Sequence, residues 1–311
     1  MDLTWIEVGV IAQPALSNLQ IPSIVEETFM TAQVKDIFND LSYYSLFDVA
    51  EKARWLMRDI DWEHIDKSVV TPELIEMVKI ITFGELTTYS ATRSFMTMFE
   101  DDIDFTQWLA VWLYEETKHP HALTKWLAMN GEKLSGKYLM DGRTITPMTK
   151  SKTEMLTFNV ISEIVAGNMY LATADTVTEP VLKDIASKLA KDEMRHSVGF
   201  ENYTRKTIAE SADPDYEKGI VLRSAWVFLQ GEQFINHPVF ETVRNLDSIL
   251  GEAVIKKIRK QIVSRIGKLA GVEIAEPEQI YSVYTKFKAD YRAKHKTKIS
   301  TADMMANAPE A

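Results

Sequence analysis

The chain has 311 residues, 46% hydrophobic composition and a formal net charge of −10; it can bury a substantial core, and its charge has the wrong sign for a nucleic-acid binder. The absence of cysteine excludes disulfides, thiolate metal sites and an intrinsic iron–sulfur cluster. No apolar run reaches the roughly 18 residues of a membrane span, and Met1 to Gln20 carries Asp2 and Glu7 without a basic leader, so a cytoplasmic protein is expected.

With only 12 Gly and 10 Pro and long apolar stripes at helical spacing, the pattern predicts an all-α fold. A first helix is expected over Val34 to Arg58. A second starts at Thr71-Pro72, an N-cap followed by proline at the first helical position, and runs to about Phe99 with Glu85 inside it. A third starts near Asp104, passes Trp108, Trp112, Glu116, His119 and Trp126, and stops at Asn130-Gly131. Leu134 to Met148, with Gly136, Gly142 and Pro147, reads as a loop. A fourth helix over about Lys150 to Thr176 carries Glu163. A fifth starts after Glu179-Pro180 and carries Glu193 and His196 to about Ser211. Asp213-Pro214 breaks the chain. Shorter helices are expected around Tyr216 to Glu232, Pro238 to Leu246 and Leu250 to Leu269, and Ser300 to Ala311 reads as frayed. No linker rich in Gly, Pro or Ser appears. The whole chain, 1–311, therefore reads as one domain, with a core bundle at about 71–211. Accessory helices at about 214–299 pack on it or on a partner subunit, most simply in a homodimer.

Charge is uneven. From Gly251 to Lys298 there are twelve Lys/Arg against five Asp/Glu, a net of +7, which leaves −17 for the rest. That segment is either a solvated helical tail or a docking surface for an acidic partner.

Two runs carry the chemistry: Glu115-Glu116-Thr117-Lys118-His119 and, 77 residues later, Asp192-Glu193-Met194-Arg195-His196. Residues i and i+3 share a helix face, so Glu116 and His119 can reach one metal ion together, and so can Glu193 and His196. Two such pairs plus one glutamate from each of two further helices make the di-iron or di-manganese site of a four-helix bundle. Glu85 and Glu163 supply the remaining carboxylates. Each stands in an apolar stretch, Glu85 among Ile80, Ile81, Phe83 and Leu86, Glu163 among Leu156, Phe158, Val160, Ile161 and Ile164. A carboxylate there is costly unless paired or metal-bound. Four carboxylates with two imidazoles suit Fe or Mn. A metal-bound histidine gives its other N–H to an acceptor. Asp192 is the expected acceptor for His119, and Glu115 either serves His196 or faces solvent. Lys118 and Arg195 are expected in ion pairs. His121 points off the ligand face, and His64, His237 and His295 read as structural or exposed.

With these positions set, the chain resembles the soluble acyl-acyl-carrier-protein desaturase family, within the ferritin-like di-iron superfamily, over roughly Trp62 to Thr207. The likeness is strongest at Trp112-Leu113-Tyr114-Glu115-Glu116-Thr117-Lys118-His119 with Leu123-Thr124-Lys125-Trp126-Leu127, and at Asp192 to His196. It implies a ferritin-like four-helix bundle with flanking helices. It also implies two Fe ions (Mn possible), O2-dependent oxidation of an acyl chain on acyl carrier protein, and electrons from an external donor such as ferredoxin. By the same likeness Trp62 would start an electron path through Asp192 and His119. The sequence departs from the family at Ala166, where the family carries a threonine; with Gly167 next, extra room beside the metals is expected, and Ala166, Gly167 and Met169 would line an acyl tunnel. Lys256, Lys257, Arg259 and Lys260 would dock the acidic carrier. The rival reading is a di-iron oxygenase on a small-molecule substrate. Leu189 stands where arylamine N-oxygenases add a histidine ligand, and Leu123 where a radical-generating reductase subunit needs a tyrosine. Iron storage, in much shorter chains, and a metal-free scaffold are further alternatives.

Overall fold

The structure is a computed structural model that describes residues 41–143, 149, 151–230 and 251–295. The described residues contain helices and turns and no strand, as the composition predicts. In chain order the helices are α1 (Ser42–Ala53), α2 (Pro72–Leu86), α3 (Thr88–Met98), α4 (Ile103–Met129) and α5 (Gly136–Asp141). They are followed by α6 (Lys152–Thr176), α7 (Pro180–Glu210), α8 (Pro214–Gln230), α9 (Glu252–Ala270) and α10 (Ile280–His295).

Local sequence starts and stops the long helices. Thr71 caps α2 by accepting from Leu74 N at 3.2 Å, with Pro72 at the first position. Asp102 caps α4 through Phe105 N. Glu179 caps α7 through Val181 N and Leu182 N, and its buried carboxylate also takes Trp126 Nε1 at 2.6 Å. One contact thus pins the start of α7 to the end of α4. Helix α4 runs on through Pro120, although proline leaves the Glu116 carbonyl without its helical donor. Helix α9 ends at Gly271, where φ is +70°, the left-handed stop that glycine adopts without strain.

Several boundaries differ from the sequence expectation. The expected helix from Thr71 to Phe99 is two helices. Thr87 Oγ1 and Thr87 N both turn back to the Gly84 carbonyl, at 2.8 and 3.1 Å, and close α2 there. The expected helix from Val34 to Arg58 ends at Ala53 and gives way to a short turn at Met57–Asp59; its start lies outside the described residues. The expected loop from Leu134 holds the short helix α5, fixed by Tyr138 OH on Lys79 O at 2.6 Å. Helix α10 adds an element within the C-terminal region. The helix expected at Pro238 to Leu246 and the frayed end from Ser300 lie outside the described residues.

Helices α6 and α7 form a closely packed hairpin joined by Val177 to Glu179, and α4 packs on α2 and α7. Helices α8 and α9 pack on α6 and on each other, and α10 packs on α8. The C-terminal helices therefore cover this chain's own α6–α7 hairpin. Gly199 makes one close approach possible: a Cβ there would lie 2.2 Å from Trp108 Cζ2.

The apolar core falls into two clusters. One gathers Phe95, Phe105, Trp108, Trp112, Leu156, Ile161, Phe200 and Ile262; the other gathers Ile81, Leu123, Trp126, Met169, Tyr170, Leu182 and Leu189. Along α4 and α7 the boundary falls at Glu115 to His119 and at Asp192 to His196, and along α6 just after Glu163, between Val165 and Ala166, so that a buried polar layer lies between two apolar ones.

Candidate metal centre

Burying ionised groups in such a layer costs several kcal/mol for each unless they are paired or bound to a cation. Four helices contribute: Glu85 from α2, Glu116 and His119 from α4, Glu163 from α6, and Glu193 and His196 from α7. All six side chains are buried. They form two groups with ligand atoms within 4.8 Å of one another, Glu85–Glu116–His119–Glu193 and Glu116–Glu163–Glu193–His196.

The oxygens are shared in a regular way. His119 Nδ1 lies 3.7 Å from Glu116 Oε2 and 3.3 Å from Glu193 Oε1. His196 Nδ1 lies 2.8 Å from Glu116 Oε1 and 3.2 Å from Glu193 Oε2. Glu116 and Glu193 thus each turn one oxygen towards each histidine, the arrangement of bridging carboxylates. Glu85 reaches only the His119 side, at 3.3 Å, and Glu163 only the His196 side, at 3.9 Å. The imidazoles are stacked with centroids 5.9 Å apart.

The outer nitrogens are held just as regularly. His119 Nε2 faces Asp192 Oδ2 at 3.2 Å and His196 Nε2 faces Glu115 Oε2 at 3.1 Å. A proton on each Nε2 leaves each Nδ1 lone pair for a cation. Arg195 Nη2 joins the two orienting carboxylates, 2.6 Å from Asp192 Oδ1 and 3.0 Å from Glu115 Oε1. Lys118 is buried, its ammonium 4.5 Å from the Trp55 ring centroid and 3.8 Å from Asp192 Oδ2.

Electrostatics separates these groups by role. Burial raises Glu85 to about 7, against the pull of His119, and raises Glu163 well above the carboxylate range, with Glu193 and Glu116 adding repulsion. Burial also opposes charge on Glu193 and Asp192, but the histidines outweigh it and hold both carboxyls well below their usual range. Both histidines are raised well above theirs: burial disfavours the cation, and the surrounding carboxylates more than compensate.

The donor set fits a pair of hard or borderline cations. Glu116 Oε1 is buried 2.8 Å from His196 Nδ1; with the ring proton kept on Nε2 by Glu115, the two atoms would offer lone pairs to one cation. Oxygen-rich ligation with one imidazole on each side suits Fe or Mn.

Residues 49–218, more than half of the chain, match the profile of the family described as fatty acid desaturase. The chain belongs to the fatty acid desaturase family. No curated protein matches it. The matched stretch contains every residue of both groups that could hold a metal ion.

The structure brings together all six of the predicted ligands, and Asp192 and Glu115 beside their histidines. It does not bring Trp62 there. The Trp62 indole donates to Met57 O at 2.9 Å and is covered by Lys125, and the indole on Asp192 is that of Trp55, at 2.8 Å. Trp62 and Trp55 stand seven positions apart, and only the packed chain shows which indole faces the aspartate. Ala166 is half-buried against the second core cluster. Gly167 leaves no extra room beside the site: a Cβ there would lie 3.2 Å from Met194 Cε and 3.3 Å from Glu193 Cβ. The missing side chain is used for close helix packing instead. His121, His64 and His295 are exposed as expected, and His237 lies outside the described residues.

Three further side chains touch the carboxylates. Tyr170 OH donates to Glu85 Oε1, Thr88 Oγ1 to Glu116 Oε2 at 3.1 Å, and Trp112 Nε1 to Glu163 Oε1 at 3.3 Å. Helical spacing could have found two of them. Tyr170 is seven residues after Glu163 and Trp112 four before Glu116, positions on the ligand faces of α6 and α4.

Proposed function

We propose that this chain is a non-haem di-iron, O2-dependent acyl desaturase whose substrate is an acyl chain carried on acyl carrier protein. The observation that carries the reading is the sharing of Glu116 and Glu193 between two histidines in a buried layer, within a chain of the desaturase family.

Glu85, Glu116, His119 and Glu193 would hold one ion, and Glu116, Glu163, Glu193 and His196 the other, in a ferritin-like bundle. An iron pair, when bound, supplies O2 activation strong enough to remove hydrogens from two adjacent unactivated carbons. The chain's own part is to hold that pair and exclude water. The apolar clusters above and below the polar layer keep the site dry. Asp192 and Glu115 fix the histidine tautomers, and Arg195 fixes the two carboxylates. Electrons come from an external donor such as ferredoxin, since the chain has no cysteine for a cluster of its own. Trp55, Asp192 and His119 form a hydrogen-bonded line for them. Lys256, Lys257, Arg259 and Lys260 are exposed on α9 and suit the acidic carrier by charge.

The test is mass spectrometry of acyl carrier substrates after turnover with a reducing system and oxygen-18 gas. The product of a desaturase is two hydrogens lighter and carries no label. A labelled, oxygenated product would replace this reading with a hydroxylase, and an unchanged substrate with iron bound would overturn both.

A further inference from the structure

Three oxidisable aromatic side chains touch the layer, and their surroundings differ. Trp55 lies under a buried ammonium, Lys118 Nζ, 4.5 Å from its ring centroid. A cation there opposes removal of an electron from the indole. Trp112 makes a long bond to Glu163, 3.3 Å, and its ring stands edge-on to His196 with centroids 6.4 Å apart. That long N–H···O contact is the poorer path for releasing a proton together with the electron, so oxidation would leave positive charge on a ring set in an apolar cluster. Tyr170 is 1% exposed, its hydroxyl already donates to Glu85, and its ring is 6.4 Å from that of His119. A phenol so placed can lose its proton with its electron, so no net charge is created on the ring.

We infer that Tyr170 is the internal reductant of the centre, oxidised to a neutral tyrosyl radical when the metal pair meets O2 with no acyl chain in place. The inference rests on the di-iron reading above. Reduction of O2 to two waters takes four electrons and four protons. A ferrous pair held by the two groups would supply two of these electrons and the external donor one. Tyr170 gives the fourth: its O–H bond breaks, the electron goes to the O2-derived oxidant, and the proton passes by way of the Glu85 carboxylate, which its hydroxyl touches, to the reduced oxygen; the other three protons come from solvent. With substrate present, the C–H bonds supply these equivalents instead, and Tyr170 stays reduced. The role is a protective one, which spends the oxidant at a defined atom rather than at random in the core.

The experiment uses the full chain reconstituted with ferrous iron, with iron content measured first. It is mixed with O2 and a one-electron donor without substrate, frozen, and examined by electron paramagnetic resonance. The expected result is an organic radical whose hyperfine structure collapses when the protein is grown on ring-deuterated tyrosine. The signal should be lost in Tyr170→Phe with iron content retained and kept in Trp112→Phe. A signal that survives Tyr170→Phe, or one that responds to deuterated tryptophan instead, overturns the inference, as does iron that oxidises with no radical. Failure to bind iron at all is a different outcome: it removes the di-iron reading and this inference with it.

Discussion

Trp55 Nε1 donates to Asp192 Oδ2 at 2.8 Å although the two residues stand 137 positions apart. The same oxygen faces His119 Nε2 at 3.2 Å, so a single carboxylate atom couples an indole near α1 to an imidazole of the buried polar layer. Trp55→Phe should therefore slow reduction of the iron-loaded protein by its donor and lower turnover about 10-fold, the lower end of the activity loss for outer partners of metal ligands, since Trp55 stands one bond beyond Asp192. Metal content should be retained. Trp62→Phe should leave reduction unchanged; stopped-flow reduction that finds the opposite order would return the role to Trp62.

The sharing of carboxylates makes a quantitative prediction for metal content. Glu116 and Glu193 belong to both ligating groups, Glu85 and Glu163 to one each. Glu116→Ala or Glu193→Ala should abolish binding of the pair. Glu85→Ala or Glu163→Ala should leave about one ion per chain, since the other group keeps all its ligands. Elemental analysis after reconstitution reads this directly, and equal loss in all four variants would refute the bridging assignment.

The metal-free protein should be most stable in mildly acid solution. Glu85 is raised from 4.5 to about 7, and His119 and His196 are raised above 6.5. For all three the folded state holds its proton more tightly than the unfolded one. The stability this gives to the histidines is complete below 6.5 and lost as pH rises through their folded values; Glu85 becomes destabilising once the unfolded carboxyl ionises above 4.5. Glu193 and Asp192 are depressed, so their contribution is present above the ordinary carboxylate range and lost in stronger acid. Melting temperature of the metal-free chain should fall from about pH 5 to about pH 8, while metal uptake, which needs ionised carboxylates and neutral imidazoles, tightens and releases protons over the same range. A melting temperature that rises with pH would contradict these assignments.

Two helical glycines should respond differently to alanine. Gly199→Ala pushes a methyl into the rigid Trp108 ring, 2.2 Å away, and overpacking of this kind costs about 1–3 kcal/mol. Gly167→Ala meets the flexible end of Met194 at 3.2 Å and the stiffer Glu193 Cβ at 3.3 Å, and the gain in helix propensity, about 1 kcal/mol, offsets part of the strain. Denaturant titration should show a clear loss for the first and a smaller one for the second.

Much of this was legible in the sequence because it is local. Glu-x-x-His places two ligands on one helix face through backbone geometry alone, and Thr71-Pro72 and Glu179-Pro180 start helices by capping their own first turns. The break at Thr87 was less legible, since a threonine can continue a helix or take back the Gly84 carbonyl, and neighbouring contacts choose. Trp112 and Tyr170 had the right spacing, Thr88 lies beyond the break, and nothing in the sequence says which hydroxyl or indole ends on a carboxylate.

The sequence by itself determined the helical class, the six residues that meet in the layer, and the identity of the group on His119, because helical periodicity and the charge cost of burial act within short stretches. Tertiary packing alone decided that Trp55 and not Trp62 faces Asp192, that Gly167 closes a helix contact rather than opening space, and that Tyr170 reaches Glu85. Each of these depends on how separate helices meet, where a shift of a few ångströms exchanges one side chain for another at the same point in space.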